Sequence, residues 1–415
     1  MPDVGAEFRR RFADLADVFS VRAFRLFSIG NFASLSAIWL VRFCVGWLTW
    51  EATHSKTWLG MMAFAELGPS ILISLYAGTL ADRMDRLRIL RMGQGLQAGL
   101  GILLFVLQFS GRLTVWWMLL TMLGFSILGG LNLPARLAAA PSLVGRERIA
   151  TASAVGSITL NLTRLLGPLM AAPLLVMGYE TLAFALAAAG FATNAICLGM
   201  IRPEESAPAS VSGSGGGTTD AFKDVLASML ADKPLRYVFA MQATTALLVR
   251  PLNDMLPAYA DLVFGRGETG FALLTASIGI GAILGAWLVV GEQGGRAMRL
   301  YIVVASAIFA LSVVVFALSG TVHAAMPVLA VFGASMTVSG IGGTSFVQTR
   351  TPISRLGRVM SVYSLVYRLA PALGALALGA LADLVALRPA SIIFAVLALL
   401  AVAYSGRRLM REPGA

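Results

Sequence analysis

An all-helical membrane protein of twelve spans, built as two six-helix pseudo-repeats, is the fold class that three features of this sequence predict. Of its 415 residues, 58% are apolar and only 13% are charged, and the mean hydropathy is +0.80. A soluble domain is about 45–50% apolar and about 25% charged. The second feature is length: apolar stretches of about the 20 residues that a bilayer-crossing helix requires recur along the whole chain. The third is a polar, glycine- and serine-rich passage at its middle. This composition excludes a soluble enzyme and a disordered chain, and a total of two cysteines excludes a disulfide scaffold.

Taken in order, the first twenty residues carry Arg9, Arg10, Arg11 and four acids without the continuous apolar core of a cleavable signal. Phe8, Phe12, Leu15 and Phe19 recur at helical spacing, the pattern of an amphipathic helix lying on a membrane surface; a solvated leader fits equally well. Apolar stretches then follow at 24–50, 58–80, 89–109, 114–138, 150–177 and 180–201. The passage Pro203 to Asp220, PEESAPASVSGSGGGTTD, has no apolar periodicity and reads as a flexible linker. Six further stretches lie at 235–260, 268–290, 298–319, 324–347, 359–382 and 389–405. The expected organisation is an N-terminal half at 1–202, a cytoplasmic linker at 203–233 and a C-terminal half at 234–415.

The net charge of +11 raises the question of nucleic acid, and the positions of the basic residues answer it. With the N-terminus inside, 24 of the 32 Lys and Arg residues fall on cytoplasmic connections, whereas only Lys56, Arg112, Arg266 and Arg388 fall on the opposite side. That asymmetry is the positive-inside pattern, and it puts both termini in the cytoplasm. The basicity marks topology and contact with anionic membrane lipid; no basic-aromatic recognition module is present, so no nucleic-acid partner is expected.

Four arginines remain, each within an apolar stretch: Arg42, Arg164, Arg250 and Arg368. Two acids, Glu66 and Asp254, are similarly placed. A charge at the centre of a bilayer costs about 2.5–3.5 kcal/mol even on insertion-based scales, so such residues face water, a partner or a ligand. The two halves also repeat each other. Pro141-Ser-Leu-Val-Gly-Arg-Glu-Arg148 precedes Arg164-Leu-Leu-Gly167-Pro168, much as Pro352-Ile-Ser-Arg-Leu-Gly-Arg358 precedes Arg368-Leu-Ala-Pro371. Two six-helix halves of this kind form the architecture of secondary transporters, with the substrate site near the midplane. Spans rich in glycine, alanine and proline agree with close helix contacts.

Between the second and third stretches stands Gly78-Thr-Leu-Ala-Asp82-Arg83-Met-Asp85-Arg86-Leu-Arg88. It resembles the cytoplasmic signature loop of the major facilitator superfamily, with Asp85 where the general pattern has glycine. A glycine lets two helices approach, an acid caps a helix N-terminus or pairs across the half, and the arginines anchor to phospholipid. Trp39-Leu-Val-Arg42-Phe-Cys-Val-Gly-Trp47, Asn132-Leu-Pro134-Ala-Arg136, Asn161-Leu-Thr-Arg164-Leu-Leu-Gly167-Pro168 and Gly357-Arg358-Val-Met-Ser-Val-Tyr363 are similar to an exporter branch of that superfamily, which includes enterobactin-type siderophore exporters and macrolide efflux proteins. The resemblance implies the major facilitator fold, a monomer in the bacterial inner membrane, and alternating access driven by protons.

Each singled-out residue has two readings. Arg42, Arg250, Asn253 and Asp254 are the expected substrate-cavity residues, with the arginines and Asn253 offering donors to an anion. Arg250 and Asp254, four apart, equally could neutralise each other on one helical face, and Arg42 could pair with Glu66. Glu66 is the first candidate for proton coupling, since burial raises a carboxyl pKa towards the working range; Asp254 is the second. Gly78, Asp82, Arg83, Arg86 and Arg88, with Arg164, Gly167, Pro168 and Arg368, are expected at the gate and signature loop, where Arg164 and Arg368 serve structure by holding carbonyls or loop acids. Trp39, Trp47, Tyr237 and Tyr363 line a cavity or anchor the spans.

Other chemistry is not expected. His54 and His323 are far apart, and no cysteine or carboxylate cluster has metal-ligand spacing. No phosphate-binding glycine loop occurs, and Cys44 and Cys197 read as packing residues, so neither metal nor cofactor is expected and the chain is not read as an enzyme. The reading is a proton-coupled exporter of a small organic molecule, an anionic siderophore-like metabolite first and a hydrophobic drug second. A metabolite importer or a transport-dead scaffold completes the field.

Overall fold

A backbone in hydrocarbon has no water to bond, so each apolar stretch satisfies its own amides by coiling into a helix. The computed structural model describes residues 15–81, 85–202, 229, 231–288 and 295–412, and among these no strand occurs. The helices of the first half are α1 Arg22–Thr53, α2 Lys56–Ala81, α3 Arg86–Phe109, α4 Val115–Ser142, α5 Ile149–Val176 and α6 Glu180–Gly199. Those of the second are α7 Lys233–Leu248, α8 Gly267–Leu288, α9 Gly295–Leu318, α10 Val322–Arg350, α11 Ile353–Val385 and α12 Leu387–Arg411. Among the described residues, ten helices are long and apolar enough to cross a membrane; α2 and α7 are the two outside that set.

The helix ends follow ordinary capping chemistry. Thr114 accepts from the Trp117 amide at the start of α4, Thr321 from Ala324 at the start of α10, and Asp232 from Leu235 at the start of α7. Asp232 also receives the Arg350 guanidinium at 3.0 Å, which ties the start of α7 to the end of α10. Gly111 and Gly178 take φ of 66° and 72° in the turns after α3 and α5, a conformation that costs glycine nothing.

The seventh rod covers the expected 235–260 stretch but not as one continuous α-helix. Helix α7 stops at Leu248, and a 3-10 turn at Arg250–Met255, a single turn at Leu256–Ala258 and a π turn at Tyr259–Val263 follow. Pro251 and Pro257 lie within this passage, each without an amide hydrogen to continue an α ladder. A 3-10 helix has three residues per turn, so Arg250 eclipses Asn253. The shared α-helical face expected of Arg250 and Asp254 is therefore not formed.

The chain forms two compact units, one of residues 1–45 and 69–213, the other of 46–68 and 214–415. In the first, close packing rests on missing side chains. A Cβ added at Gly101 of α3 would lie 2.9 Å from the Ala188 Cα of α6, and one at Gly190 of α6 would lie 2.8 Å from the Ala33 carbonyl of α1. Pro69 interrupts α2, and the next amide, Ser70, donates to Ser126 Oγ of α4 at 3.0 Å. Arg91 of α3 donates to the carbonyls of Leu198 and Ile201 at 2.9 and 2.6 Å, closing the end of α6. The helical residues 15–20 pack Leu15, Val18 and Phe19 against Phe24, Leu87 and Leu143, and Asp17 receives Arg148 through two bonds of 2.6 and 2.7 Å. Thus the described end of the amphipathic segment lies on the protein; Phe8 and Phe12 fall outside the described residues.

The second unit uses the same devices. Arg299 of α9 closes the end of α12 by donating to the carbonyls of Leu409 and Glu412 at 3.4 and 2.9 Å. The interval from Arg91 to Arg299 equals that from Arg42 to Arg250, so the repeat is written in the positions of these arginines as well as in apolar length. Helices α8 and α10 touch backbone to backbone: a Cβ at Gly281 would lie 1.8 Å from the Ala330 carbonyl, and one at Gly333 would lie 2.1 Å from that of Ile278. Gly281→Val is therefore expected to cost more than the ~1–3 kcal/mol of an ordinary overpacked site and to leave little monodisperse protein in detergent. Gly99→Ala, which has open space around it, is expected to leave the thermal unfolding midpoint unchanged or raise it.

Candidate functional site

Charged groups inside apolar rods need partners, and the structure supplies aromatic rings to three of the four intramembrane arginines, in a different way in each unit. In the first unit the Arg42 guanidinium of α1 lies 5.0 Å from the centroid of the Trp39 ring. The Arg164 guanidinium of α5 lies 5.5 Å from the same ring. One tryptophan thus carries two cations, each attracted by the negative face of the indole. Gly167 makes this possible, since a Cβ there would lie 2.2 Å from Trp39 Cβ. Any side chain at Gly167 would lift α5, with Arg164 and Pro168, away from the ring. Arg42 and Trp39 are half-buried, whereas Arg164 is on the exposed side of α5.

In the second unit the Arg250 guanidinium lies 4.4 Å from the centroid of Tyr367 of α11 and donates weakly to that residue's carbonyl at 3.5 Å. Tyr367 stacks in turn on Tyr363, one helical turn earlier, with centroids 5.7 Å apart and planes 11° from parallel. The Tyr363 hydroxyl accepts from Gln242 Nε2 of α7 at 3.3 Å and from Thr344 Oγ1 of α10 at 3.5 Å. Gln242 is itself fixed: its amide nitrogen donates to the Ser339 carbonyl at 2.8 Å, and its amide oxygen accepts from Ser339 Oγ at 2.9 Å. Ser306 of α9 completes the chain at 2.7 Å from Ser339 Oγ. A buried polar network whose members are partnered rigidifies what it touches, and here it holds the two rings on which Arg250 rests. Glycines again make the space, for a Cβ at Gly343 would fall 2.0 Å from Gln242 Nε2 and one at Gly340 would fall 2.8 Å from the Tyr367 hydroxyl.

Not every expected residue joins these groups. Asn253 and Asp254 are half-buried on the 3-10 turn after Arg250. Glu66 is half-buried on α2, in the second unit, three residues before Pro69. Arg368 lies on the exposed side of α11, next to Tyr367 but outside the stack. Gly78 is in the last turns of α2; Asp82 and Arg83 fall outside the described residues. Arg86 and Arg88 open α3, whose N-terminus is capped by Asp85 through the Leu87 amide at 3.1 Å. With φ of −59°, Asp85 needs no glycine conformation, so its departure from the signature supplies a cap without straining the turn.

Sequence reasoning passed over Tyr367 and Gln242 and left Trp39 and Tyr363 with two readings. The available signal was local: Tyr363 and Tyr367 are spaced i, i+4 immediately before Arg368, which puts both rings on one helical face.

Comparison with known proteins gives these groups a family. A model of the MFS_3 family, described as transmembrane secretion effectors, matches residues 14–413. Curated relatives include the enterobactin exporter EntS of Salmonella typhimurium, 27% identical over 361 residues that cover 86% of this chain and 85% of that one. The enterobactin exporter EntS of Shigella boydii is 29% identical over 365 residues with the same coverage of each. Among solved structures, the nucleoside transporter NupG shares the fold with a TM-score of 0.74 at 14% identity, over 94% of this chain and 100% of that one. A bacterial homologue of the lysosomal transporter Spinster, inward-facing and unoccupied, does so with a TM-score of 0.69 at 13% identity, over 96% and 98%.

The stacked rings predict a measurable coupling. Tyr367→Phe keeps the ring and is expected to leave stability within about 0.5 kcal/mol, whereas Tyr367→Leu forfeits a cation–π contact worth ~0.5–2 kcal/mol. A double-mutant cycle of Tyr367→Leu with Arg250→Gln, read by thermal unfolding, should recover a coupling energy of that size; independent effects would separate the two residues.

Proposed function

The chain belongs to the transmembrane secretion effector family and is a membrane transporter of the major facilitator type, and from that premise we propose that it is a proton-coupled exporter of a small anionic, siderophore-like metabolite. The observation that carries this reading is the pairing of intramembrane arginines with aromatic rings in both units: Arg42 and Arg164 on Trp39, and Arg250 on Tyr367. Four arginines in apolar rods cost together about 10–14 kcal/mol on insertion-based scales, a cost that packing alone does not require. Rings beside guanidinium groups suit a ligand that is both flat and acidic, which can stack on the ring and bond the cation. The similarity to enterobactin exporters supports the same substrate class.

In this mechanism the six-helix halves, 1–202 and 234–415, alternate in exposing the ligand to the two sides of a bacterial inner membrane, with the termini and the 203–233 linker in the cytoplasm. The transporter works as a monomer. Arg42, Arg250 and Asn253 hold the anion, and Asp254 is the second proton-coupling carboxylate. Glu66 takes up a proton from the outside and releases it inside. The signature loop, with Gly78, Asp82, Arg83, Arg86 and Arg88, and the Arg164-Gly167-Pro168 and Arg368 passages govern closure towards the cytoplasm.

The test is mass spectrometry of medium and cell extract from low-iron cultures with and without the gene, complemented by variants. An iron-binding metabolite should disappear outside and accumulate inside the deletion strain. Arg42→Gln and Arg250→Gln should each lower its export at least tenfold at unchanged protein level. Glu66→Gln should abolish pH-driven flux while binding persists. Unchanged metabolite pools, or full export by both arginine variants, would sink the anionic substrate; broad drug resistance that ignores the arginines would replace it with hydrophobic efflux.

A further inference from the structure

The last helix of the second unit ends in side chains that neither the arginine–ring groups nor the signature loop uses. Ile393, Leu397, Leu400, Tyr404, Arg408 and Arg411 recur along α12 at steps of three and four residues, the spacing that keeps one face of an α-helix in line. All six are exposed, Leu400 by 63% and Tyr404 by 60%. Arg407, also exposed, stands beside them in the same last turns.

This face is graded along the helix axis: three apolar side chains, then a phenol ring, then guanidinium groups. Hydrocarbon, polar boundary and phosphate follow one another in that order in a phospholipid leaflet, and an exposed tyrosine belongs at the boundary. The Arg408 guanidinium lies 5.5 Å from the centroid of the Tyr404 ring. A helical side chain leans towards the N-terminus of its helix, so Arg408 lies back over the ring, its methylene stem on apolar surface and its charge at the boundary.

Two observations separate this face from an ordinary basic helix end. Basic residues in a last turn commonly satisfy the final carbonyls, but here Arg299 of α9 already donates to those of Leu409 and Glu412. Among the described residues, Arg407, Arg408 and Arg411 form no ion pair, although Glu412 adjoins them. The first half supplies an internal comparison, since Arg91 closes α6 much as Arg299 closes α12. At the interval that relates Arg91 to Arg299, the places of Tyr404, Arg407, Arg408 and Arg411 are held by Ile196, Gly199, Met200 and Pro203, and those of Ile393, Leu397 and Leu400 by Ala185, Ala189 and Ala192. Arg202 is the arginine of that end. Closing the helix end therefore requires neither the three arginines of α12 nor its tyrosine.

We propose that this face of α12 binds a phospholipid with two phosphates, of the cardiolipin class. The phosphates meet Arg407, Arg408 and Arg411, the linking glycerol lies beside Tyr404, and an acyl chain runs along Leu400, Leu397 and Ile393. Charge decides between headgroups. The three arginines fall within a helical rise of about 6 Å, and a guanidinium bonds phosphate through paired N–H groups. One phosphate leaves part of that charge unmet, whereas two joined through glycerol meet it. A zwitterionic headgroup brings an ammonium that the arginines repel. The inference rests on the membrane location of the chain and is independent of substrate and of proton coupling.

Native mass spectrometry of the full chain, titrated in detergent with equimolar cardiolipin and phosphatidylglycerol, tests the site. The native chain should retain one cardiolipin with a clear preference over phosphatidylglycerol. The Arg407→Gln/Arg408→Gln/Arg411→Gln chain should bind cardiolipin at least about tenfold more weakly, since each arginine near a membrane strengthens binding to anionic lipid by roughly fivefold, whereas Arg112→Gln should bind it as the native chain does. Equal retention of the two lipids by the native chain, or undiminished cardiolipin on the triple variant, would overturn the site. Removing three positive charges also bears on membrane orientation, so a second measurement uses the native chain. Cardiolipin with a photoactivatable diazirine in one acyl chain, illuminated in nanodiscs of otherwise zwitterionic lipid, should label residues 387–411 above every other helix. Labelling spread over the helices in proportion to their exposure would overturn the proposal. Suppression of the labelling by inorganic pyrophosphate as fully as by unlabelled cardiolipin would overturn it too, and would assign the arginines to a soluble diphosphate.

Discussion

Hydrocarbon offers no hydrogen bonds, and the arrangement of this chain follows from that single constraint. Backbone groups meet it by forming helices, but the constraint reaches every place where the helices end, bend or carry a polar side chain. Arg91 and Arg299 are the plainest instances: each closes the last carbonyls of another helix, α6 in one unit and α12 in the other. Pro69 breaks a ladder and Ser126 takes up a freed amide. At the start of α2, Ser55 accepts from the Trp58 amide, and an acid from a distant helix takes the Lys56 and Thr57 amides.

The second determinant is backbone proximity. Glycine at Gly281, Gly333, Gly167 and Gly379 removes the side chain that would hold two helices apart. In water such contacts would add apolar burial, but in lipid the surroundings are as apolar as leucine, so close van der Waals contact and interhelical bonds carry the association. The polar chain Ser306–Ser339–Gln242–Tyr363 exists because Gly343 leaves room for the Gln242 amide. Close approach thus creates the polar contacts as well as the packing, and both converge on the rings beside Arg250.

Much of the fold was legible from apolar length alone, because a span must be about 20 residues long whatever its sequence. The seventh rod was not: apolar periodicity does not distinguish an α-helix from a 3-10 turn, and the two prolines at Pro251 and Pro257 were outweighed by continuous hydrophobicity. Arg42 and Arg250 were legible because a charge in a span is costly. Their ring partners were not, since Trp39 and Tyr367 are unremarkable residues in any apolar helix and become informative only when α5 or α11 brings them under a guanidinium. Asp383 was illegible for a simpler reason: it stands at the end of a span like many surface acids, and its partners at Ser55–Thr57 lie in the other half of the sequence.

The two halves have diverged around a conserved interval of positions rather than around conserved residues. Arg42 and Arg250 stand at matching places, yet one shares an indole with a second cation and the other leans on a pair of stacked tyrosines. An indole attracts a cation more strongly than a phenol, while the tyrosine pair is locked through Gln242 and presents one guanidinium in one orientation. A ligand meeting the first unit would find more positive charge; one meeting the second would find a more rigid surface. Repetition supplies the frame, and within it the two arginines are held in unequal surroundings, one beside a shared indole and one on a locked tyrosine pair.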